Sequence, residues 1–153
     1  MQEQKTATLT TTFSEVLANL AFMFTDEEPE EPSGDDLWLE ALITYQGPVN
    51  GTLRFRCTRD FSRHLAANLL GLDAAEEITE SQANDVAKEF LNIVCGQFVT
   101  ATHGTEDVFD LTIPEIRELA EMPDLSDTNE VEGEVATMFV EGHPVQLAYT
   151  PGV

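Results

Sequence analysis

With 153 residues, the chain is long enough for a single core that removes about 68–70% of the unfolded surface from water, so neither a disulfide nor a metal is needed to hold it. Hydrophobic residues at 42% and charged residues at 24% place it among globular proteins and away from disordered and fibrous chains. Seven Lys and Arg against 29 Asp and Glu leave a formal net charge of -22, which disfavours nucleic acid and anionic membrane surfaces, since both need clustered cations.

The first residues carry no basic segment followed by an apolar run and a small-residue cleavage site, and no window approaches a membrane span, so a soluble, cytoplasmic protein is expected. Over residues 11–24, Phe13, Val16, Leu17, Leu20, Ala21 and Phe24 have the spacing of an amphipathic helix. Residues 25–36 hold seven carboxylates, two prolines and no base, and read as a solvated loop. Residues 37–45 and 51–57 alternate and are rich in β-branched and aromatic side chains, with Gly, Pro and Asn-Gly signals between them, which predicts an antiparallel hairpin.

A second helix is predicted over 59–70, stopped by Gly71, and a third over 81–101, stopped at Gly104. Residues 108–113 then read as a short strand ended by Pro114, residues 115–128 as acidic and irregular, and residues 131–140 and 145–149 as a second hairpin. Helices interspersed with hairpins, without strict βαβ alternation, give an α+β domain over residues 1–153, with helices packed on a largely antiparallel sheet. Cys57 and Cys95 fall in apolar segments and read as buried thiols.

The third helix carries the candidate chemistry. At about 100° per residue, with Glu89 at zero, Asp85, Asn92 and Gly96 fall near 320°, 300° and 340°, while Val86, Phe90, Leu91, Val94 and Phe98 lie between about 60° and 200°. Glu89 and Asn92 are therefore i, i+3 neighbours on a polar stripe, able to reach one external object. Such a stripe is also what an ordinary solvated helix face looks like. Gly96 argues for contact, because an exposed glycine inside a helix costs about 1 kcal/mol relative to Ala. The three histidines, His64, His103 and His143, have no i, i+4 partner or Cys cluster, so no metal of its own is expected, and no phosphate-binding or serine-nucleophile motif occurs, which leaves nucleotide and serine-nucleophile chemistry unsupported. Arg54, Arg56, Arg59 and Arg63 read as balancing the acidic face or, alternatively, as a partner patch.

The run Asp85-Val-Ala-Lys-Glu-Phe-Leu-Asn-Ile-Val-Cys-Gly-Gln resembles the signature helix of the CheC, CheX and FliY chemotaxis phosphatases, in which Glu-x-x-Asn is followed by an apolar turn and Gly. Gly51-Thr-Leu-Arg-Phe, Leu65-Ala-Ala-Asn-Leu-Leu-Gly and Phe109-Asp-Leu-Thr-Ile-Pro are similar to that family's strand, its helix ending in Leu-Leu-Gly, and its later strand ending in Ser/Thr-x-Pro. One signature helix points to the CheX type, since Glu15 and Asn19 on the first helix are spaced i, i+4 and do not make a second copy.

The resemblance implies a CheC-like fold and hydrolysis of the aspartyl phosphate on a CheY-type receiver. Asn92 would position the attacking water and Glu89 would pair with the receiver's lysine, with Mg²⁺ held by the receiver. It also implies a homodimer formed by strand pairing, for which the terminal hairpin offers an edge. Lys88 and Gly96 would shape the docking face. Asp85 would help them, or is only a first-turn acid favoured by the helix dipole. A receiver-binding module of the same fold without catalysis is the alternative.

Overall fold

The computed structural model describes residues 3–27, 37–73, 77–126, 129–130 and 133–152. Its elements run α1 (Glu3–Val16, continued by a π-helical turn, Leu17–Ala21), β1 (Trp38–Gln46), β2 (Gly51–Thr58), α2 (Arg59–Leu70), α3 (Glu80–His103), β3 (Asp110–Leu111), β4 (Glu115–Leu119), β5 (Asn129–Glu130), β6 (Gly133–Val140) and β7 (His143–Pro151). The strands form one antiparallel sheet in the order β1-β2-β7-β6-β5, with β3 and β4 following one another along the outer side of β1. An α+β architecture with helices on an antiparallel sheet is thus what the chain adopts.

The strand period of two divides the sheet into unlike faces. Ala41, Ile43 and Tyr45 of β1, Leu53, Phe55 and Cys57 of β2, and Val145, Leu147 and Tyr149 of β7 pack with side chains of all three helices in the core. The alternate residues, Glu40, Leu42, Arg54, Arg56, Gln146 and Ala148, belong to the other face. Part of that face is crossed by the chain after β4: Thr137 Oγ1 donates to the Leu125 carbonyl at 2.8 Å and Gln146 Nε2 to the Asp124 carbonyl at 2.9 Å.

Local chemistry fixes the second and third helices. Thr58 Oγ1 accepts from the Phe61 N–H at 3.1 Å to start α2, and Gly71, at φ 72°, ends it. Thr79 and Gln82 form a reciprocal capping box at the start of α3, with bonds of 3.1 and 2.9 Å. The tip of the β6–β7 hairpin is only Glu141-Gly142, with φ of 49° and 85°, the doubly positive pair that a tight hairpin turn requires.

Three expectations need correction. The first helix begins at Glu3 instead of residue 11 and ends at Ala21, because Phe22 turns left-handed at φ 54°. Phe24 consequently lies outside the helix and is exposed. The strand expected over 108–113 shrinks to two residues, with Val108 and Ile113 both exposed, and the segment expected to be irregular contains β4, which pairs with β1 from Leu42↔Glu115 to Trp38↔Leu119. Most of the acidic loop expected over 25–36 lies outside the described residues. Its start is tied down, with Thr25 bridging Val140 and the Asp26 N–H donating to the Phe139 carbonyl at 2.7 Å.

Cys57 and Cys95 are buried and not joined in a disulfide, and burial pushes the Cys95 thiol up to about 12. At pH 8 almost no Cys95 thiolate exists, and the thiolate is the reactive form. Iodoacetamide is therefore expected to leave both cysteines unmodified in the folded protein and to alkylate both in urea, as read by mass spectrometry; modification of folded protein would contradict this packing. Among the described residues, no helix is long and apolar enough to cross a membrane.

Candidate functional site

The core anchors α3 through Ala87, Phe90, Leu91, Val94 and Phe98. Phe13 of α1 meets Phe90 edge-on at 5.2 Å and Phe55 of β2 at 5.4 Å, so three aromatic rings lock α1, α3 and the sheet together. This packing fixes how α1 lies beside the polar stripe of α3.

Along that stripe Asp85 and Glu89 are exposed, while Lys88, Asn92 and Gly96 are half-buried. Asn92 and Gly96 are covered from one side because they line a groove of about 500 Å³ between α1 and α3, with Thr12, Glu15, Gln97 and Thr100 among its other walls. The Thr100 hydroxyl turns back to donate to the Gly96 carbonyl at 3.0 Å. A Cβ built on Gly96 meets nothing within 4 Å, so no packing inside the chain calls for a glycine there.

Lys88 turns to the opposite flank. It borders a cavity of about 640 Å³ together with Glu40 and Leu42 of β1, Arg54 of β2, and Pro114 to Arg117. The exposed strip holding Asp85 and Glu89 is thus flanked by a groove on the α1 side and a cavity on the β4 side.

The sheet face behind this cavity holds a charge cluster around a buried carboxylate that sequence reasoning missed. Glu40, 2% exposed, accepts from Arg56 Nε at 2.7 Å and from Arg117 Nε at 2.9 Å, with Arg54 Nε at 3.9 Å. Arg56 also donates to Gln146 Oε1 at 2.6 Å, and Arg54 to Thr150 Oγ1 at 3.1 Å. Burial pushes the Glu40 carboxyl up, but the bonds and charges of Arg56 and Arg117 outweigh it and hold the group below the ordinary carboxylate range. The available signal was hairpin register: a Gly-containing turn between β1 and β2 puts Glu40 opposite Arg56 on one face. Arg54 and Arg56 therefore neutralise a buried carboxylate rather than a solvated acidic face.

His64 and His143, 79 residues apart in sequence, come together with Nδ1 and Nε2 at 3.4 Å, a pairing that no local spacing could reveal. Among the described residues, no group of three or more His, Cys, Asp or Glu side chains could hold a metal ion.

A layer of helices over one face of an antiparallel sheet, with a carboxylate and an amide one turn apart on the longest helix, defines an α+β class to which known proteins can be compared. Residues 39–137 match the family model described as chemotaxis phosphatase CheX. The chain belongs to the CheX family.

Solved structures agree on the fold. The chemotaxis protein CheX from Desulfovibrio desulfuricans has 14% identity and a TM-score of 0.68, over 97% of this chain and 99% of that one. CheX from Vibrio vulnificus has 17% identity and a TM-score of 0.68, over 97% and 96%. The CheX-CheY complex with BeF3 and Mg²⁺ from Borrelia burgdorferi has 18% identity and a TM-score of 0.66, over 96% and 97%. No match among curated protein sequences reaches significance.

Proposed function

We propose that this protein dephosphorylates a CheY-type receiver, docking the exposed strip of α3 on the receiver so that Asn92 holds the attacking water against the aspartyl phosphate. The observation that carries this reading is the half-buried amide of Asn92 at the lip of a groove, flanked by an exposed carboxylate one turn before it and by a glycine that nothing in the chain requires. An amide both donates and accepts without titrating, so it can orient a water in line with phosphorus and then leave the chemistry to the receiver's own metal. Mg²⁺ held by the receiver would supply charge neutralisation at the phosphoryl group, as in phosphoryl transfer generally. In the related Borrelia complex the partner is CheY with BeF3 and Mg²⁺, and BeF3 is a mimic of the phosphoryl group. That precedent supports a receiver partner for this chain.

Glu89, free of the core, would pair with the receiver lysine beside the phosphate. Asp85 at the start of the same strip and Lys88 at its β4 border would frame the contact. Titrating BeF3-activated, Mg²⁺-loaded CheY into the Glu89→Ala variant is expected to show affinity at least tenfold weaker than wild type, the scale for losing one side of a desolvated charge pair. Unchanged affinity in calorimetry would remove Glu89 from the docking face.

Gly96 yields a sharper expectation, because folding and docking should move in opposite directions. Gly96→Ala fills open space and removes a half-buried helix-interior glycine, so it should stabilise the protein by about 1 kcal/mol, roughly 2–4 °C in melting temperature. The same methyl stands where the receiver approaches, and affinity for activated CheY should fall several-fold. A variant that melts higher and binds as wild type would show that the partner does not come down on Gly96.

A further inference from the structure

The cavity on the β4 flank of α3 shares only Lys88 with the proposed receiver contact, and its lining is unusual for so acidic a chain. Three of the seven cations, Arg54, Lys88 and Arg117, border it. With 29 carboxylates available, each would be expected to find an acid. Glu40 is the carboxylate at the cavity's inner end, and its two oxygens already accept from Arg56 and Arg117. Arg54 stands at 3.9 Å from it and spends one terminal nitrogen on Thr150. Lys88 is half-buried, and among the described residues it makes no ion pair or hydrogen bond. The second carboxylate at the cavity, Glu115, is exposed.

We propose that the cavity between α3 and the β1–β4 edge of the sheet is a binding site for a compact phosphate-class anion, with Lys88, Arg54 and Arg117 as its donors. The volume of about 640 Å³ lies in the range of small-molecule sites, and Leu42, Pro114 and Ile116 give it apolar walls that strengthen charge-assisted bonds. The ammonium of Lys88, the second terminal nitrogen of Arg54 and the terminal nitrogens of Arg117, not used on Glu40 or Thr150, suit a tetrahedral dianion, which can take several donors at once from different directions. The overall charge of -22 disfavours such an anion over most of the surface, so that a recess bordered by three cations is where it would be held. Lys88 and Asn92 are i, i+4 neighbours, and an anion held here would sit beside the strip that carries the candidate chemistry.

The test is independent of any receiver. Inorganic phosphate is titrated into the full chain at low ionic strength, followed by the NMR shift of the Lys88 ammonium and by calorimetry, with chloride at matched ionic strength as control. The expected result is a saturable shift with phosphate only, weakened at least tenfold in Lys88→Gln and in Arg54→Gln. Lys88→Gln removes a side chain with no partner among the described residues, so its circular dichroism and melting should stay those of the wild type, and its loss of binding can be read directly. Glycerol phosphate in parallel separates the two sources, a tighter fit for it indicating an esterified ligand and a tighter fit for phosphate a free ion. The proposal is overturned if chloride reproduces the shift, if succinate binds as well as phosphate, or if both variants bind as the wild type does.

Discussion

Replacing Asn92 with alanine is expected to abolish accelerated dephosphorylation of CheY while leaving docking within a few-fold of wild type. The side chain is half-buried at the groove lip and belongs to no core cluster, so its loss opens no cavity, and alanine is the better helix former. What disappears is the group that would hold a water in line. Positioning of this kind is worth a great deal, since a misplacement of about 1 Å can cost about 100-fold in rate. The expected drop is therefore about 100-fold or more in single-turnover rate at saturating protein, with the binding isotherm for BeF3-activated CheY little changed. A rate within twofold of wild type would exclude Asn92 as the group that orients the water.

The largest effect on stability is expected at Glu40. Its carboxylate is buried and shared by Arg56 and Arg117, with Arg54 close by, so Glu40→Ala leaves three guanidinium groups facing one another around a void. Removing one side of a buried ion pair costs about 3–5 kcal/mol, a large share of the roughly 5–15 kcal/mol that holds a typical domain together. The melting temperature should fall by roughly 10 °C, at 2–4 °C per kcal/mol for a chain of this size. The pH dependence follows from the direction of the shift. Because the folded carboxyl is held below its ordinary range, its contribution is complete at neutral pH and drains away as pH falls below that range toward the folded value. Denaturant midpoints of wild type and Glu40→Ala should thus converge on acidification; a constant gap down to pH 3 would contradict the ion cluster as the source of the stability.

Where local chemistry decides, the sequence was legible. The two later helices announce themselves through Thr58 and Gly71 and through the Thr79 and Gln82 box, and both hairpins carry their turn residues. α1 was hidden because its first turns are rich in threonine, a poor helix former, and are held by burial of Leu9, Thr12 and Phe13 against the rest of the fold. β4 was hidden because an edge strand needs no continuous apolar face: only Ile116 and Leu119 are half-buried, while Glu115, Arg117 and Glu118 are exposed.

The candidate site divides in the same way. Glu89, Asn92 and Gly96 share a stripe that the 100° helical rotation displays directly. The α1 wall with Thr12 and Glu15, and the recess that Lys88 borders with Arg54 and Arg117, come from elements distant in the chain that only folding brings together.

Acting through the α3 strip, this chain is expected to hydrolyse a receiver's aspartyl phosphate. The most direct test is to mix the wild-type protein in excess with phosphorylated, Mg²⁺-loaded CheY-type receivers from its own organism and to follow phosphate loss in a single turnover. One receiver should lose phosphate faster than it does alone, at a rate that rises with protein concentration and then saturates. A receiver that binds to saturation and yet keeps its own unaided rate, with no other receiver accelerated, would contradict the account.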